Sequence, residues 1–384
     1  MEYRRFGRLD WKVSALGFGC MRLPTANGNE NIDEAEATQM LRYAIDHGVN
    51  YVDTAYPYHG GESEPFLGRV LQDGYREKVR IATKLPSWKI EEREDFDRYL
   101  NEQLERLQTH HIDFYLLHAL REDWWHKLHD LGVLEWAEGA QSDGCIGHLG
   151  FSFHDEYEVF EQIVDAYDWT FCQIQYNYMD IDTQAGTQGL EYAASKGLAV
   201  VIMEPLLGGR LVDPPDPVKE IWNEAPTSRT PADWALQWLW NQPEVSVVLS
   251  GMSTMKHVKE NVACADASGV SVLTDEELAL VDRVRDAYEA LCPIPCTQCN
   301  YCMPCPHGVD IPRNFEIYNQ GVMYDKPEES RRSYDMLDEE KRANACVACL
   351  ECEDECPQSI PISDWMVHVD EVLAEGAPYI CDLP

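Results

Sequence analysis

Eight short apolar segments alternate with amphipathic helical segments up to about residue 291 of this 384-residue chain. The apolar segments, rich in β-branched residues, are Val13–Gly19, Asn50–Thr54, Val79–Lys84, Asp113–His118, Ile146–Ser152, Phe171–Gln175, Ala199–Met203 and Val245–Ser250. Helical periodicity is clearest over Glu34–His47, Asp95–Gln108, Asp155–Asp165, Gly189–Lys196 and Pro231–Trp240, with a ninth helix over Thr274–Leu291. Because parallel strands need a crossover that a helix usually makes, eight such units predict a closed (β/α)8 barrel of the TIM type, an α/β fold. The residues before Val13 predict a β-hairpin that closes the bottom of the barrel.

The periodic pattern ends after Leu291, where proline and cysteine become frequent, and a domain boundary is predicted near Pro293. We therefore expect a barrel over residues 1–291 and a small domain over residues 292–384. The small domain holds two runs of four cysteines, each followed by proline: Cys296, Cys299, Cys302 and Cys305, then Cys346, Cys349, Cys352 and Cys356. The second run has the spacing C-x2-C-x2-C-x3-C-P, typical of bacterial iron–sulfur clusters, and the first run is one residue shorter before its last cysteine. Zinc is the alternative, because C-x2-C pairs also bind it.

The charge of the chain narrows the choice of partners. Its 68 acidic and 31 basic residues give a formal net charge of −37. A charge of this sign and size argues against nucleic acid and anionic membrane surfaces as partners. No apolar run reaches the ~18 residues of a transmembrane helix, and the first residues lack the apolar stretch of a secretory signal. Metal ligation in a reducing compartment then accounts best for the cysteines, so we predict a cytoplasmic protein.

Four polar side chains lie at or just after the ends of three successive predicted strands. Asp53 ends the second strand, with Tyr58 five residues later, and Lys84 and His118 end the third and fourth. In a barrel of this type, strand ends at the C-terminal face form the active site. A tyrosine with an ordinary pKa near ~10 is a poor acid, but an adjacent ammonium lowers that pKa, and a buried carboxylate keeps the ammonium charged. The set predicts a general acid aimed at an oxygen that gains charge.

The run from Asp53 to Tyr58, followed by Ala-Thr-Lys84 and Leu-Leu-His118, resembles the aldo-keto reductases. The resemblance covers residues 1 to about 291. It implies that Asp53, Tyr58, Lys84 and His118 form the catalytic tetrad, with Tyr58 as general acid and base. It also implies an NAD(P)-dependent oxidoreductase that acts on a small carbonyl or alcohol substrate.

The same resemblance implies a set of cofactor-binding residues. Ser152 and Gln173 match the residues that hold the nicotinamide carboxamide, and Met203 stands where an aromatic usually stacks on the ring. The segment after the eighth strand resembles the dinucleotide clamp, through Ser250, Gly251, Ser253, His257, Glu260 and Asn261. Gly251 and His257 replace the usual lysine and arginine at the 2′-phosphate, and Lys256 or Arg210 are the candidate substitutes. NADP, NAD and a flavin therefore all stay open.

The C-terminal segment resembles a branch of the same family that ends in a ferredoxin-like domain. In two-cluster ferredoxins the fourth cysteine of each run ligates the other run's cluster. The implied arrangement is two [4Fe–4S] clusters, although a single cluster is not excluded. The crossed ligand sets are Cys296, Cys299, Cys302 and Cys356 for one cluster, and Cys346, Cys349, Cys352 and Cys305 for the other.

Three functional interpretations follow from these two halves. In the first, the chain is an NAD(P)H-dependent carbonyl reductase whose clusters stabilise the C-terminal domain. In the second, the clusters pass electrons between a redox partner protein and the barrel mouth, which requires a converter between one- and two-electron chemistry such as a flavin. In the third, the chain is a redox sensor or accessory subunit without catalysis. The sequence indicates neither the substrate nor the oligomeric state.

Overall fold

The computed structural model describes residues 1–26, 31–381 and 383. The chain divides into two compact units. The first consists of Met1–Gly208 and Ala232–Thr274, and the second of Gly209–Pro231 and Asp275–Pro384. The predicted boundary near Pro293 stays a prediction, because the second unit also includes a segment from the middle of the chain.

The first unit is built on a closed barrel of eight parallel strands. They follow one another around the barrel in chain order, and the last pairs with the first: β3 Leu16–Gly19, β4 Tyr51–Asp53, β5 Arg80–Leu85, β6 Ile112–Leu120, β7 Ile146–Phe153, β8 Phe171–Gln175, β9 Ala199–Met203 and β10 Val245–Ser250. The eight predicted strands and the closed (β/α)8 architecture are thus confirmed. Parallel order brings all the carboxyl ends to one face, where the polar residues predicted from the sequence are collected.

Helices connect these strands on the outside. Their bounds are α1 Glu34–Asp46, α2 Ser63–Val70, α3 Glu94–Arg106, α4 Glu122–Asp130, α5 Val133–Ser142, α6 Tyr157–Ala166, α7 Gly186–Ser195, α9 Pro231–Trp240 and α10 Met255–Asp266. Side chains cap two of them in the way that helix N-termini require. Asp33 accepts a hydrogen bond from the Glu36 N–H at the start of α1, and Thr254 accepts one from His257 at the start of α10.

A β-hairpin closes the bottom of the barrel, as predicted. Strand β1 (Tyr3–Arg5) pairs antiparallel with β2 (Lys12–Ser14). The turn between them carries Phe6, which is fully buried and packs against the aromatic rings of Phe114 and Phe171. This end of the barrel is therefore filled by packed rings.

The second unit is helical. Its helices are α8 Asp216–Trp222, α11 Asp275–Glu289, α12 Ile311–Met323, α13 Pro327–Asp335, α14 Glu351–Asp354 and α15 Ile362–Leu373. The sequence pattern was wrong to end helical periodicity after Leu291, since α12 and α15 carry much of an apolar core that includes Phe315, Tyr318, Trp365 and Val369. The proline-rich segment after β9 contains α8. Prolines precede or begin α8 and α13, where they are compatible with helix N-termini.

Within the ranges that the structure describes, no helix combines the length and apolar character needed to cross a bilayer.

Candidate active site and cluster sites

Lys84 is the centre of a buried ion pair at the C-terminal end of the barrel strands. Its ammonium nitrogen donates to both carboxylate oxygens of Asp53 at 2.7 and 2.8 Å, and to the carbonyl oxygen of Thr54 at 2.7 Å. Lys84 is fully buried, and Asp53 is 3% exposed. Burial lowers the pKa of Lys84, but the charges of Asp53 and Tyr58 outweigh burial and raise it above its ordinary value. The ammonium is therefore held charged.

Tyr58 lies directly beside this ammonium. Its hydroxyl oxygen is 3.5 Å from Lys84 Nζ, and the charge also lies 5.1 Å from the centre of the ring. Burial raises the pKa of the phenol, and this outweighs the lowering by Lys84. The net lowering expected from the sequence is therefore wrong for this structure, because the desolvation of a phenolate costs more than the ammonium returns. The phenol remains protonated near neutral pH and can act as a proton donor.

His118 completes the set of four residues predicted from the strand ends. Its ring lies 6.3 Å from the ring of Tyr58, edge to face. Burial, together with the charges of Lys84 and His154, holds the pKa of His118 well below its ordinary value, so the imidazole is neutral. Its Nδ1 is buried and has no hydrogen-bond partner among the described residues. A neutral imidazole at this place can orient a carbonyl group without repelling the ammonium.

A second buried carboxylate supports the four residues from behind, and sequence reasoning missed it. Glu64, which is fully buried on α2, accepts hydrogen bonds from Thr83 at 2.7 Å and from Gln103 at 2.6 Å. Gln103 also donates to the carbonyl oxygen of Lys84 at 3.1 Å. Burial raises the pKa of Glu64. The hydrogen bonds from Thr83 and Gln103, together with the nearby Arg106, offset part of that rise. The network fixes the backbone that carries Lys84.

Two tryptophans form a surface beside His118, which we call the aromatic wall (Trp88 and Trp124). The ring of Trp88 lies 5.1 Å from that of His118, and Trp124 lies 6.0 Å from Trp88. Trp88 is 36% exposed. Of the neighbouring pair Trp124 and Trp125, Trp125 is buried and packs on Trp169. Only Trp124 of that pair is part of the wall.

The predicted nicotinamide residues lie on three neighbouring strands, β7, β8 and β9. Ser152 accepts a hydrogen bond from the Ala119 N–H at 2.7 Å, and Gln173 Nε2 approaches the sulfur of Met203 at 3.6 Å. Ser152 and Gln173 are almost completely buried. The amide oxygen of Gln173 has no hydrogen-bond partner among the described residues. A buried acceptor without a partner fits the amide N–H of a carboxamide group, so these residues are compatible with a nicotinamide.

The loop after β10 is organised around Gly251. Ser250 accepts a hydrogen bond from Asn261 at 2.9 Å, and both are buried. The exposed members of the predicted set, Ser253, His257 and Glu260, follow on the loop and on α10. A Cβ on Gly251 would lie 3.1–3.3 Å from the stem of Arg22, an exposed residue on the loop after β3. Arg22 therefore places a positively charged side chain beside this loop. It was not among the cofactor-binding residues predicted from the sequence.

The two proposed substitutes for the missing phosphate ligands have different surroundings. Lys256 is exposed on α10 and lies 3.7 Å from Glu260. Arg210 belongs to the second unit, where it donates to Gln320 at 3.0 Å and pairs with Glu329 at 3.3 Å. The guanidinium of Arg210 is thus already used within that unit.

The eight cysteines of the two runs line two cavities. One, of about 180 Å³, is lined by Cys305, Cys346, Cys349 and Cys352, together with Cys302. The other is lined by Cys296, Cys299, Cys302 and Cys356. The thiols around the two cavities are those that the crossed arrangement pairs, and Cys302 lines both cavities. Thiolate sulfur is the donor that iron–sulfur clusters take, although within the described residues no three of these side chains already lie close enough to hold a metal ion.

Comparison with known proteins agrees with the fold of both units. Residues 15–286 match the aldo/keto reductase family, which is more than half of the chain. The chain belongs to the aldo/keto reductase family. Residues 295–360 match the 4Fe-4S dicluster domain, so this family member carries such a domain at its C-terminal side. The match decides against the zinc alternative and in favour of iron–sulfur clusters.

Curated relatives resemble the barrel part of the chain. The L-galactose dehydrogenase of Arabidopsis thaliana is 28% identical over 318 residues, which are 76% of this chain and 96% of the relative. An uncharacterised oxidoreductase, YqkF, of Bacillus subtilis is 26% identical over 323 residues, with 76% and 99% covered. Both support the assignment of this chain as an oxidoreductase.

Solved structures give the same result. The holo form of the aldo-keto reductase AKR11C1 from Bacillus halodurans is 28% identical, with a TM-score of 0.63, covering 74% of this chain and 96% of that one. An aldo-keto reductase from Klebsiella pneumoniae in complex with NADPH is 27% identical, with a TM-score of 0.60 and coverages of 74% and 95%.

Proposed function

We propose that this protein is an NADPH-dependent carbonyl reductase in which Tyr58 is the proton donor. The observation that carries the proposal is the protonated phenol held 3.5 Å from the buried, charged ammonium of Lys84. Asp53 keeps that ammonium charged and in place through two hydrogen bonds. The neutral His118 beside Tyr58 orients the substrate carbonyl.

The chemistry divides between the cofactor and the protein. When bound, a reduced nicotinamide would supply the hydride for the carbonyl carbon. As the carbonyl oxygen gains negative charge, Tyr58 transfers its hydroxyl proton to that oxygen, and the product is an alcohol. The ammonium of Lys84 stabilises the phenolate until solvent returns a proton. A transition-state charge beside a fixed ammonium in a desolvated site is stabilised more strongly than in water.

NADPH is the cofactor that the residues favour. Gln173, Ser152 and Met203 are compatible with the nicotinamide, and the similar Klebsiella pneumoniae enzyme binds NADPH. Lys256 and Arg22 provide positive charges near the loop after β10, and the 2′-phosphate of NADPH needs cationic hydrogen-bond donors there. The family match does not support a flavin, so that alternative is not kept.

The C-terminal domain is proposed to hold two [4Fe–4S] clusters with a structural role. The ligand sets are the crossed ones, Cys296, Cys299, Cys302 and Cys356 for one cluster and Cys346, Cys349, Cys352 and Cys305 for the other. Ligation contributes folding energy, because the unfolded segment has no preformed site. The exposure of Cys299 and Cys349 would bring each cluster near solvent, as electron exchange with a partner protein requires, but transfer to the barrel mouth would also need a converter between one- and two-electron chemistry. The buried ion pair beside Tyr58 argues against a sensor without catalysis. A cytoplasmic location stays a prediction.

Tyr58→Phe tests the function directly. The variant keeps the ring and the packing, but it has no proton to give. We expect carbonyl reduction to fall by at least about 10³-fold, while the Kd for NADPH, measured by fluorescence titration, changes less than about two-fold. Retained turnover would contradict the role of Tyr58. Loss of NADPH binding would show that the phenylalanine disturbed the site instead.

A further inference from the structure

Arg121 is an exposed cation at the barrel mouth, and no acidic side chain pairs with it within residues 1–26, 31–381 and 383. The chain has 68 acidic residues for 31 basic ones, so acidic partners are abundant. Arg121 directly follows β6. The pairing of β6 with β7 shifts register between Leu117 and Leu120. Its guanidinium carbon instead lies 3.9 Å from the centre of the Trp124 ring. The guanidinium is thus held by stacking, with its N–H groups available.

The stacking connects Arg121 to the catalytic residues through the aromatic wall. Arg121 covers Trp124, Trp124 lies beside Trp88, and Trp88 lies beside His118. His118 in turn lies next to Tyr58. All five side chains belong to the barrel unit. A series of neighbouring side chains therefore leads from the proton donor, past two indole rings, to a guanidinium without an acidic partner among the described residues.

A surface of this composition selects a ligand by its shape and its charge. Indole faces bind planar, apolar rings, and a guanidinium binds a carboxylate through parallel N–H donors. We propose that the wall and Arg121 form a substrate subsite for extended aromatic aldehydes or ketones that carry a carboxylate at the end remote from the carbonyl. The proposal rests on the proposed function, since it places the carbonyl at Tyr58 and His118.

Neighbouring acidic groups limit how such a substrate is attracted. Glu122 and Asp123 follow Arg121 in α4, and Asp155 accepts a hydrogen bond from the Glu122 N–H at 2.8 Å. Together with the net charge of −37, these carboxylates oppose the approach of an anion over long range. The affinity must therefore come from direct contact with the guanidinium, and removal of that group should abolish the preference.

The test compares two aldehydes that differ only in the remote charge, 4′-formylbiphenyl-4-carboxylate and biphenyl-4-carbaldehyde, with NADPH and the purified holoenzyme. We expect kcat/KM to be about ten- to one hundred-fold higher for the carboxylate, the factor that a charge-assisted hydrogen bond gives. Arg121→Gln should abolish this advantage and leave kcat/KM for the neutral aldehyde within about two-fold. Arg121→Lys should retain part of it, since lysine keeps the charge but not the planar fork.

Lys127→Gln is the matched control, because it removes one positive charge from the same helix, outside the aromatic wall. It should leave the ratio between the two aldehydes unchanged. Binding is measured without turnover by calorimetry with NADPH and the product alcohols, 4′-(hydroxymethyl)biphenyl-4-carboxylate and biphenyl-4-methanol, a combination that contains no hydride acceptor. The carboxylate alcohol should bind more tightly, and Arg121→Gln should remove that difference.

Equal kcat/KM for both aldehydes and equal affinity for both alcohols would overturn the subsite. An equal loss for both aldehydes in Arg121→Gln would also overturn it, because Arg121 would then only support the local structure. If neither aldehyde is reduced but the carboxylate alcohol still binds in an Arg121-dependent way, the subsite stands and the proposed reaction fails.

Discussion

The active-site region of the barrel and the cysteine region of the second unit are built on opposite principles. In the barrel, Asp53 and Lys84 are buried and satisfy each other through short hydrogen bonds. In the second unit, Cys299 and Cys349 are exposed and the other six cysteines of the two runs are half-buried. The barrel site is preorganised by the protein alone. The cysteine region is arranged around two cavities that thiols line.

The difference teaches where the stability of each region originates. Packed rings and a second polar layer, formed by Glu64 and Gln103, surround the barrel site. The second unit has a smaller apolar core, centred on α12 and α15, and its cysteines pack at the edge of that core. We therefore expect the barrel to keep its site without metal, whereas the second unit should depend on its clusters.

Removal of iron should have the largest effect and separates the two regions. After anaerobic chelation, we expect loss of the helical signal of α12, α13 and α15 in circular dichroism, while the barrel keeps its own thermal transition and binds NADPH. The reason is that the cysteine thiolates lose the iron–sulfur clusters that hold them together. A single unchanged unfolding transition after complete iron loss would contradict this division.

The ligand sets can be checked within the same experiment. Intact protein should contain about eight iron atoms per chain, and Cys305→Ser should reduce this number toward about four. Cys292→Ser is the control, because Cys292 lies outside both runs and should leave the iron content unchanged. An unchanged iron content in Cys305→Ser would exclude Cys305 as a ligand.

Lys84→Met should have the next largest effect, this time on the barrel. The substitution leaves Asp53 buried without its partner, which costs about 3–5 kcal/mol in the free energy of unfolding. The double variant Asp53→Leu/Lys84→Met removes both charges and should recover much of that loss. Urea denaturation followed by tryptophan fluorescence measures both. If the double variant is as unstable as the sum of the single variants, the buried charge is not the cause.

His118 should give the smallest effect, as a dependence of stability on pH. Its pKa in the folded protein lies well below the ordinary value of 6.5, so below pH 6.5 the unfolded chain binds a proton that the folded chain does not. The free energy of unfolding should then fall as the pH decreases below 6.5, by up to about 1.4 kcal/mol per pH unit from His118. Above pH 6.5 the contribution of His118 should lose its dependence on pH.

His118→Asn isolates this contribution, because the remaining histidines are shared by both proteins. The slope of stability against pH between 5.5 and 6.5 (about one unit below the ordinary pKa) should be smaller in the variant. Identical slopes in the two proteins would show that His118 is protonated in the folded state.

Much of the barrel could be predicted from the sequence, because strand periodicity and strand-end residues are local features of the chain. The eight strands follow from that pattern, and so does Asp53 at the end of β4, whereas Lys84 and His118 lie just before the ends of β5 (Leu85) and β6 (Leu120). In the second unit, the ninth predicted helix corresponds to α11, whereas α8, α12, α13, α14 and α15 were missed. Their apolar residues lie among prolines and cysteines, and α12 and α15 form their core with residues far apart in the chain.

The sequence by itself determined the fold class, the candidate set of Asp53, Tyr58, Lys84 and His118, and the spacing of the two cysteine runs. Each of these depends on the order of neighbouring residues. Only the tertiary structure decided which distant side chains meet. It placed Glu64 and Gln103 behind Lys84, and the carbonyl of Lys84 within reach of Gln103. It also grouped Gly209–Pro231 with the C-terminal helices and stacked Arg121 on Trp124. These contacts depend on how the barrel closes and packs, which no short segment of the chain encodes.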